Sequence, residues 1–211
     1  MRSQQSGFTL VEIAIVLVII GLLLGGILKG QELINSAKVK NLANDFRVIP
    51  TYIYAYQDKF KSLPGDDSNV KGHLGTTATE GAGGTLGNGL IDGLWNADET
   101  TATESNIFWQ HVRLANLASG ATTPAIGFAP VNAMGGRIGI QSGPFITGMT
   151  GTYSVCSAGI LGRFAKQLDI QMDDGVSDSG SLRIIAGLAA GAAATQVQVT
   201  DDASFTVCMM F

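Results

Sequence analysis

Residues 8–28 read FTLVEIAIVLVIIGLLLGGIL, an apolar run interrupted by one charged side chain, Glu12. At 1.5 Å of rise per residue the run makes about 30 Å of α-helix, the thickness of the hydrocarbon core of a bilayer. It is long enough to span a membrane. A secretory signal has a shorter apolar stretch closed by small residues of the A-x-A kind. Here no such site closes the run, which leads instead into polar, helix-compatible sequence. A carboxylate inside a span costs about 2.5–3.5 kcal/mol on insertion scales, so Glu12 calls for a functional reason and a partner. No Lys, Arg or His accompanies it between residues 8 and 28. Three sources of a partner remain: another molecule, a chain terminus, or a proton on Glu12 itself.

The residues before the run supply a candidate terminus. Residues 1–7 read MRSQQSG, short and polar, with Arg2 and a glycine directly before Phe8. The junction Gly7-Phe8-Thr9-Leu10-Val11-Glu12 resembles the processing motif of type IV prepilins and type II secretion pseudopilins. In that family a membrane-embedded prepilin peptidase cuts after the glycine and methylates the new terminal amine. The resemblance implies cleavage between Gly7 and Phe8, an N-methylated Phe8, and Glu12 as the fifth residue of the mature chain. It implies as partners copies of this chain or other pilin-like subunits, the peptidase, inner-membrane assembly machinery and membrane lipid. Because the peptidase acts on the cytoplasmic side, it also implies a cytoplasmic N-terminus and a periplasmic globular part. Positive charge alone does not decide orientation, since Arg2 precedes the span and Lys29, Lys38 and Lys40 follow it.

The chemistry of that junction is coherent. A free α-amine titrates at about 7.7–8.0 and is a cation at neutral pH. Glu12 of one subunit can neutralise the amine of a neighbour. In a low-dielectric helix bundle either charge alone is expensive, so the pair penalises misplaced subunits and fixes register.

Gly21, Gly25, Gly26 and Gly30 lie at the far end of the span. Each weakens a helix by up to about 1 kcal/mol relative to alanine, which favours close packing against neighbours or partial unwinding. Pilins of the family often carry a proline in this region; here there is none. Beyond it, Val39, Leu42, Phe46, Ile49, Ile53, Tyr56, Phe60 and Leu63 recur at spacings of three and four, one apolar stripe on a continuing helix. Pro50 removes a backbone donor and is expected to kink that helix. Leu63-Pro64-Gly65-Asp66-Asp67 is expected to end it. The chain thus divides into a leader (1–7), a membrane-spanning half-helix (8–28), an amphipathic half-helix (29–63) and a globular region (64–211).

The full length of 211 residues suits one globular domain with an appendage. A net charge of −4 with 14% charged residues gives no electrostatic footprint for nucleic acid. Most of the 28 glycines follow residue 64, mixed with Thr, Ser, Asn and Asp, as in turn-rich, strand-and-loop sequence. Residues 103–118 place Ile107, Phe108, His111, Leu114, Ala115 and Ala118 on one face of a short helix, and 159–170 do the same with Ile160, Leu161, Phe164 and Leu168. Strand-like runs cover 136–141, 151–157, 181–186, 195–200 and 204–210. The segment 184–194 is too short and glycine-rich for a second span and reads as core or loop. The expected fold is α+β: a long N-terminal helix packed on a C-terminal antiparallel sheet, as in pilins.

Cys156 and Cys208 have no CxxC or His-rich spacing, so a zinc site would lack ligands. A disulfide is the preferred reading in an oxidising compartment, strengthened by the resemblance, since many pilins close a C-terminal region this way; free buried cysteines are the alternative. Asp169, Asp173, Asp174 and Asp178 gather around one turn. A solvated turn is the simpler reading and a calcium site the other, because hard cations take six or more oxygens. Some pseudopilins bind calcium in a C-terminal loop, but neither that loop nor an EF-hand is matched here residue by residue. Gly87-Asn88-Gly89-Leu90-Ile91-Asp92-Gly93 faintly resembles a calcium-binding glycine repeat, yet a single copy cannot stack, so a loop or hairpin is expected.

Catalysis has little support. His73 sits in glycine-rich sequence, His111 on an apolar helix face reads as a core residue, and Trp95 and Trp109 as core or surface anchors. No GxSxG, HExxH, Walker or GxGxxG context is present. The reading is a structural subunit of a type IV pilus or similar filament. A pseudopilin of a secretion or competence system shares the same N-terminus, and a single-span binding or adhesive protein that never polymerises is the alternative of another class.

Overall fold

The structure, a computed structural model, describes residue 7, residues 9–187 and residues 198–211. Phe8 lies outside the described residues, as do most of the leader, half of the run expected as a strand at 195–200, and the end of the 184–194 segment. The first element, α1 (Leu10–Phe60), is a single helix of 51 residues. It passes through Pro50 without interruption, and the Thr51 hydroxyl donates to the Val48 carbonyl at 2.6 Å. The chain divides into two compact units, Met1–Ala37 and Lys38–Phe211.

In the first unit every described side chain from Leu10 to Leu28 is exposed. A window of this helix with mean hydropathy 2.8 is long and apolar enough to cross a membrane. A helix apolar on all sides needs lipid or other helices to cover it.

In the second unit α1 buries the expected stripe. Val39, Leu42, Phe46, Ile49, Ile53 and Tyr56 are buried, with Ala43 between them and Leu63 just beyond. Phe60 is only half-buried, its ring 4.7 Å from that of Tyr56 and 5.1 Å from that of His73. Lys61, at φ 57°, takes the left-handed conformation that stops the helix.

The remaining elements are α2 (Val70–Leu74), α3 (Glu104–Leu114), β1 (Ile138–Ser142), β2 (Tyr153–Leu161), α4 (Gly162–Met172), β3 (Leu182–Ala186) and β4 (Ser204–Met210). The strands form one antiparallel sheet in the order β1-β2-β4-β3. Ile138, Ile140, Val155, Leu182, Ile184 and Val207 face the stripe of α1 together with Phe108 and Phe164. Alternation along each strand sends Cys156, Ile185, Cys208 and Met210 to the other face. That face is dry as well, covered by Trp95, Phe145, Ile146 and Met149. Gly139 sits on it, where a Cβ would lie 2.3 Å from the Trp95 carbonyl oxygen, so only glycine lets the loop approach. The architecture is α+β and pilin-like, a long N-terminal helix followed by a four-stranded antiparallel sheet.

Two elements differ from their expected form. The apolar pattern of residues 159–161 reads as the start of a helix, but all three belong to β2, which regains its pairing with β4 after a register shift between Ser157 and Ile160. Helix α4 starts only at Gly162. Helix α3 is not amphipathic in its setting: every residue from Glu104 to Arg113 is buried, polar ones included. The reason is that loops, rather than water, lie against its polar side.

Cys156 and Cys208 are joined, facing each other directly across β2 and β4 with Cα atoms 4.1 Å apart. At a sequence separation of 52, the chain-entropy estimate assigns the bridge about 4 kcal/mol of stability. Replacing both cysteines by alanine is expected to lower the urea-unfolding free energy by about that amount, less any gain from repacking. A loss below about 1 kcal/mol would show that the antiparallel register, not the covalent link, holds these strands.

Candidate functional site

The N-terminal junction is built by a reciprocal cap. Thr9 precedes the first residue of α1, and its backbone N–H and its hydroxyl both donate to Glu12 Oε2, at 2.8 and 2.7 Å. Thr9 Oγ1 in turn accepts the Glu12 N–H at 3.3 Å. This is a capping box, in which a Thr and a Glu three residues apart satisfy each other's orphan donors at a helix start. Glu12 therefore has a local partner that carries no charge, Thr9. The spacing Thr9-x-x-Glu12, directly before an apolar run, is the signal that would have found it. Gly7 is exposed, and Phe8 lies outside the described residues.

A second assembly of carboxylates forms around Leu63-Pro64-Gly65-Asp66-Asp67, all five buried. Asp66 Oδ1 accepts the N–H groups of Gly87 (2.5 Å) and Asn88 (3.2 Å), and Oδ2 that of Gly89 (2.7 Å). The Gly87–Gly93 segment is thus a loop held by one carboxylate. Asp67 accepts the Tyr56 hydroxyl at 2.7 Å and the Asn69 N–H at 2.9 Å, and His73 Nδ1 lies 2.7 Å from its Oδ2. Burial raises the Asp67 pKa, but the hydrogen bonds from His73, Tyr56 and Asn69 outweigh it and hold the carboxyl below its ordinary value. Tyr56 is pushed well up by burial and by its bond to Asp67. Gly65, at φ 98°, donates its N–H to His111 Nδ1, and a Cβ there would strike the Glu104 carbonyl oxygen at 2.5 Å.

Helix α3 completes this assembly. His111 Nε2 lies 2.9 Å from the Thr79 carbonyl, so with Nδ1 accepting from Gly65 the neutral ring is bound at both nitrogens. Burial lowers its pKa. Gln110 accepts the Thr79 N–H and donates to the Thr122 carbonyl, both at 2.8 Å. Asn106 donates to the carbonyls of Asp98 and Thr101, and Arg113 to those of Ala121 and Phe128. His111 is the core residue the sequence suggests, and both tryptophans are buried. His73 stands in α2, a helix of five residues that its glycine-rich surroundings concealed.

Glu104 Oε2 accepts the Asp92 N–H at 2.8 Å, whereas Oε1 is buried without a hydrogen-bond partner among the described residues. Burial pushes its pKa up to about 7, opposed by that one bond and reinforced by the charges of Asp66 and Asp92.

At the far end of α4, Asp169, Asp173 and Asp174 each offer a carboxylate oxygen within 4.8 Å of the others. Asp178, grouped with them by sequence, stands outside that set. Asp169 is raised to about 6, chiefly by burial and then by Asp174 and Asp173.

These shifts have signs that can be tested. Between its unfolded value of about 4.3 and about 7, folded Glu104 keeps a proton that the unfolded chain releases, so its contribution to stability falls as pH rises through that window. His111 acts oppositely: below about 6.5 the unfolded chain binds a proton that the buried ring resists, so stability falls as pH drops. Glu104→Gln is expected to melt above the parent at pH 8, with the difference shrinking toward pH 5. Thermal scans of the detergent-solubilised chain across that range check this. A pH-independent offset would remove the proposed titration.

Residues 2–28 match the family described as the prokaryotic N-terminal methylation motif. No curated protein and no solved structure matches the chain. The matched segment holds the Gly7–Phe8 junction, the Thr9–Glu12 cap and the exposed apolar turns of α1. The chain therefore carries the prepilin-type cleavage and methylation motif, which supports a structural protein of the type IV pilin or pseudopilin class, processed by prepilin peptidase and assembled into pilin-like polymers.

Proposed function

We propose that this chain is a structural subunit of a type IV pilus or pilus-like filament, cut after Gly7 and methylated on the amine of Phe8. Residues 8–28 hold it in the inner membrane, with the N-terminus cytoplasmic and the globular part periplasmic, until it polymerises. The observation that carries this reading is a helix apolar on every side over Leu10–Leu28 with a lone carboxylate near its start. Lipid can cover the apolar surface but gives no reason for Glu12; the amine of a neighbouring Phe8 gives one.

The capping box supplies the state before assembly. Two Thr9 donors solvate one Glu12 oxygen, which reduces the burden of carrying the carboxylate in an apolar setting. On assembly the neighbour's cation adds to the same group, and only a subunit at the right axial level can supply it.

Mass spectrometry of the mature chain is expected to find a terminus at Phe8 carrying one methyl group; an intact Met1, or a cut elsewhere, would sink the proposal. Glu12→Ala is expected to insert normally but to enter filaments sheared from cells roughly tenfold less, about 1.4 kcal/mol of lost pairing. Glu12→Gln keeps an acceptor for Thr9 and loses the charge, so it is expected to fail in the same way. Normal incorporation of the glutamine variant would leave Glu12 as a helix cap alone.

A further inference from the structure

A cleft opens in the Lys38–Phe211 unit where the end of α1, the glycine-rich loop and the start of β2 come together. Its volume is about 400 Å³, inside the range of about 300–1,000 Å³ typical of small-molecule sites. Gln57 and Lys61 line it from the end of α1, Ser68 and Gly89 from the loops, and Tyr153 from β2. Gly89 leaves open space where a side chain would stand.

The polar side chains around this loop are mostly committed. Asp66 holds the N–H groups of Gly87, Asn88 and Gly89, and the Asn88 amide holds Asp92 and the Leu90 N–H. Gln57, Ser68 and Tyr153 differ: neither the amide nor either hydroxyl has a hydrogen-bond partner among the described residues. Ser68 is exposed and the other two are half-buried, so all three can be reached from the cleft. The Tyr153 ring is packed against that of Phe211, with centroids 5.6 Å apart, and offers a flat apolar surface with a polar tip. Burial, then Tyr54 and Asp66, pushes its hydroxyl above the ordinary value, so it keeps its proton and remains a donor.

Charge narrows the ligand. Lys61 is the cation among the described lining residues, and its Nζ already reaches the Asp58 carbonyl at 2.7 Å and the Asp58 carboxylate at 3.4 Å. Asp66 has both oxygens engaged by backbone N–H groups, which leaves a metal ion without a free carboxylate, and its charge opposes an anion. An apolar molecule would take water from an amide and two hydroxyls and return no hydrogen bond. A neutral ligand carrying many hydroxyls serves each of these groups as donor or acceptor.

We propose that this cleft binds a neutral saccharide of one or two rings, with a C–H face of one ring on Tyr153 and sugar hydroxyls on Tyr153 Oη, Ser68 Oγ and the Gln57 amide. The site lies wholly within the Lys38–Phe211 unit, so the inference does not depend on filament assembly.

The test uses the full-length chain in a zwitterionic detergent, since an alkyl glycoside would itself compete. Two probes are titrated by calorimetry and by saturation-transfer NMR: N,N′-diacetylchitobiose, which stands for cell-wall glycan, and lactose, which stands for hexose glycans outside the cell. Expected is one saturable site for at least one probe, half-filled at about 1 mM or below, and the probe that binds more tightly names the source. Sorbitol, an open-chain polyol without a ring face, is expected to bind at least about tenfold more weakly. Gln57→Ala and Ser68→Ala should each weaken binding about two- to tenfold, the loss of one neutral hydrogen bond, and the double variant at least about tenfold. Because these side chains hold nothing within the protein, the melting temperature should stay within about 2 °C of the parent. Tyr153→Phe keeps the ring and should lose only the hydroxyl's share, again about two- to tenfold. The proposal is overturned by the absence of saturable binding of either probe up to about 20 mM, by equal binding of sorbitol, or by unchanged binding in the folded double variant.

Discussion

A backbone N–H or C=O removed from water must find a partner, and the Lys38–Phe211 unit removes a great deal of loop from water. Long stretches between α2 and α3 and between α3 and β1 have no continuous ladder to join. Side chains supply partners beside isolated backbone bonds such as that from the Ala82 N–H to the Ala102 carbonyl. Asp66 gathers three consecutive N–H groups of the glycine-rich loop, and Asn106, Gln110, His111 and Arg113 each hold carbonyls or N–H groups of the segments around α3. That is why α3 is buried on all sides: its polar face is spent on loops. The position of Glu104 follows from the same arrangement, since the closure that satisfies Asp92 N–H leaves Oε1 without a donor among the described residues.

Helix α1 meets a different constraint. Its backbone is satisfied internally, so it can run through settings of different polarity without change of structure. What changes along it is the side-chain pattern. From Leu10 to Leu28 all faces are apolar and exposed, while from Val39 to Tyr56 one stripe is buried in the core of its unit. The Thr9–Glu12 cap begins the first stretch, and the Asp67–Tyr56 bond ties the end of the second to the loops beyond. The carboxylates thus mark both ends of the helix, one in an apolar setting and one inside a hydrogen-bonded cluster.

The sheet is used on both faces. Gly139 allows the Trp95 backbone to close over the disulfide-bearing face, and Gly65 allows the Asp66–Asp67 segment to press against α3. A chain with side chains at these points would keep the helix stripe and lose the loop approach.

How much of this was legible in the sequence depends on how local each cause is. The apolar run, its lone carboxylate and the processing junction are properties of consecutive residues, and so is the stripe from Val39 to Leu63, whose spacing is the period of the helix itself. The capping box is equally local, a Thr and a Glu three residues apart at the head of the apolar run. Four of the strands were legible from their alternation, but the limit between β2 and α4 was not: Ile160 and Leu161 fit both periods, and the pairing with β4 across a register shift decides for strand. The burial of α3, the second covered face of the sheet and the pairing of Asp66 and Asp67 with residues far along the chain are decided by contacts between segments, which no local pattern encodes. For the acidic turn, sequence supplied four aspartates; the fold brought three together and left one oxygen of Asp169 without a donor among the described residues. Sequence determined which groups carry charge, and tertiary structure alone determined which of those charges are left for something else to satisfy, because desolvation depends on what packs around a group and not on its neighbours in the chain.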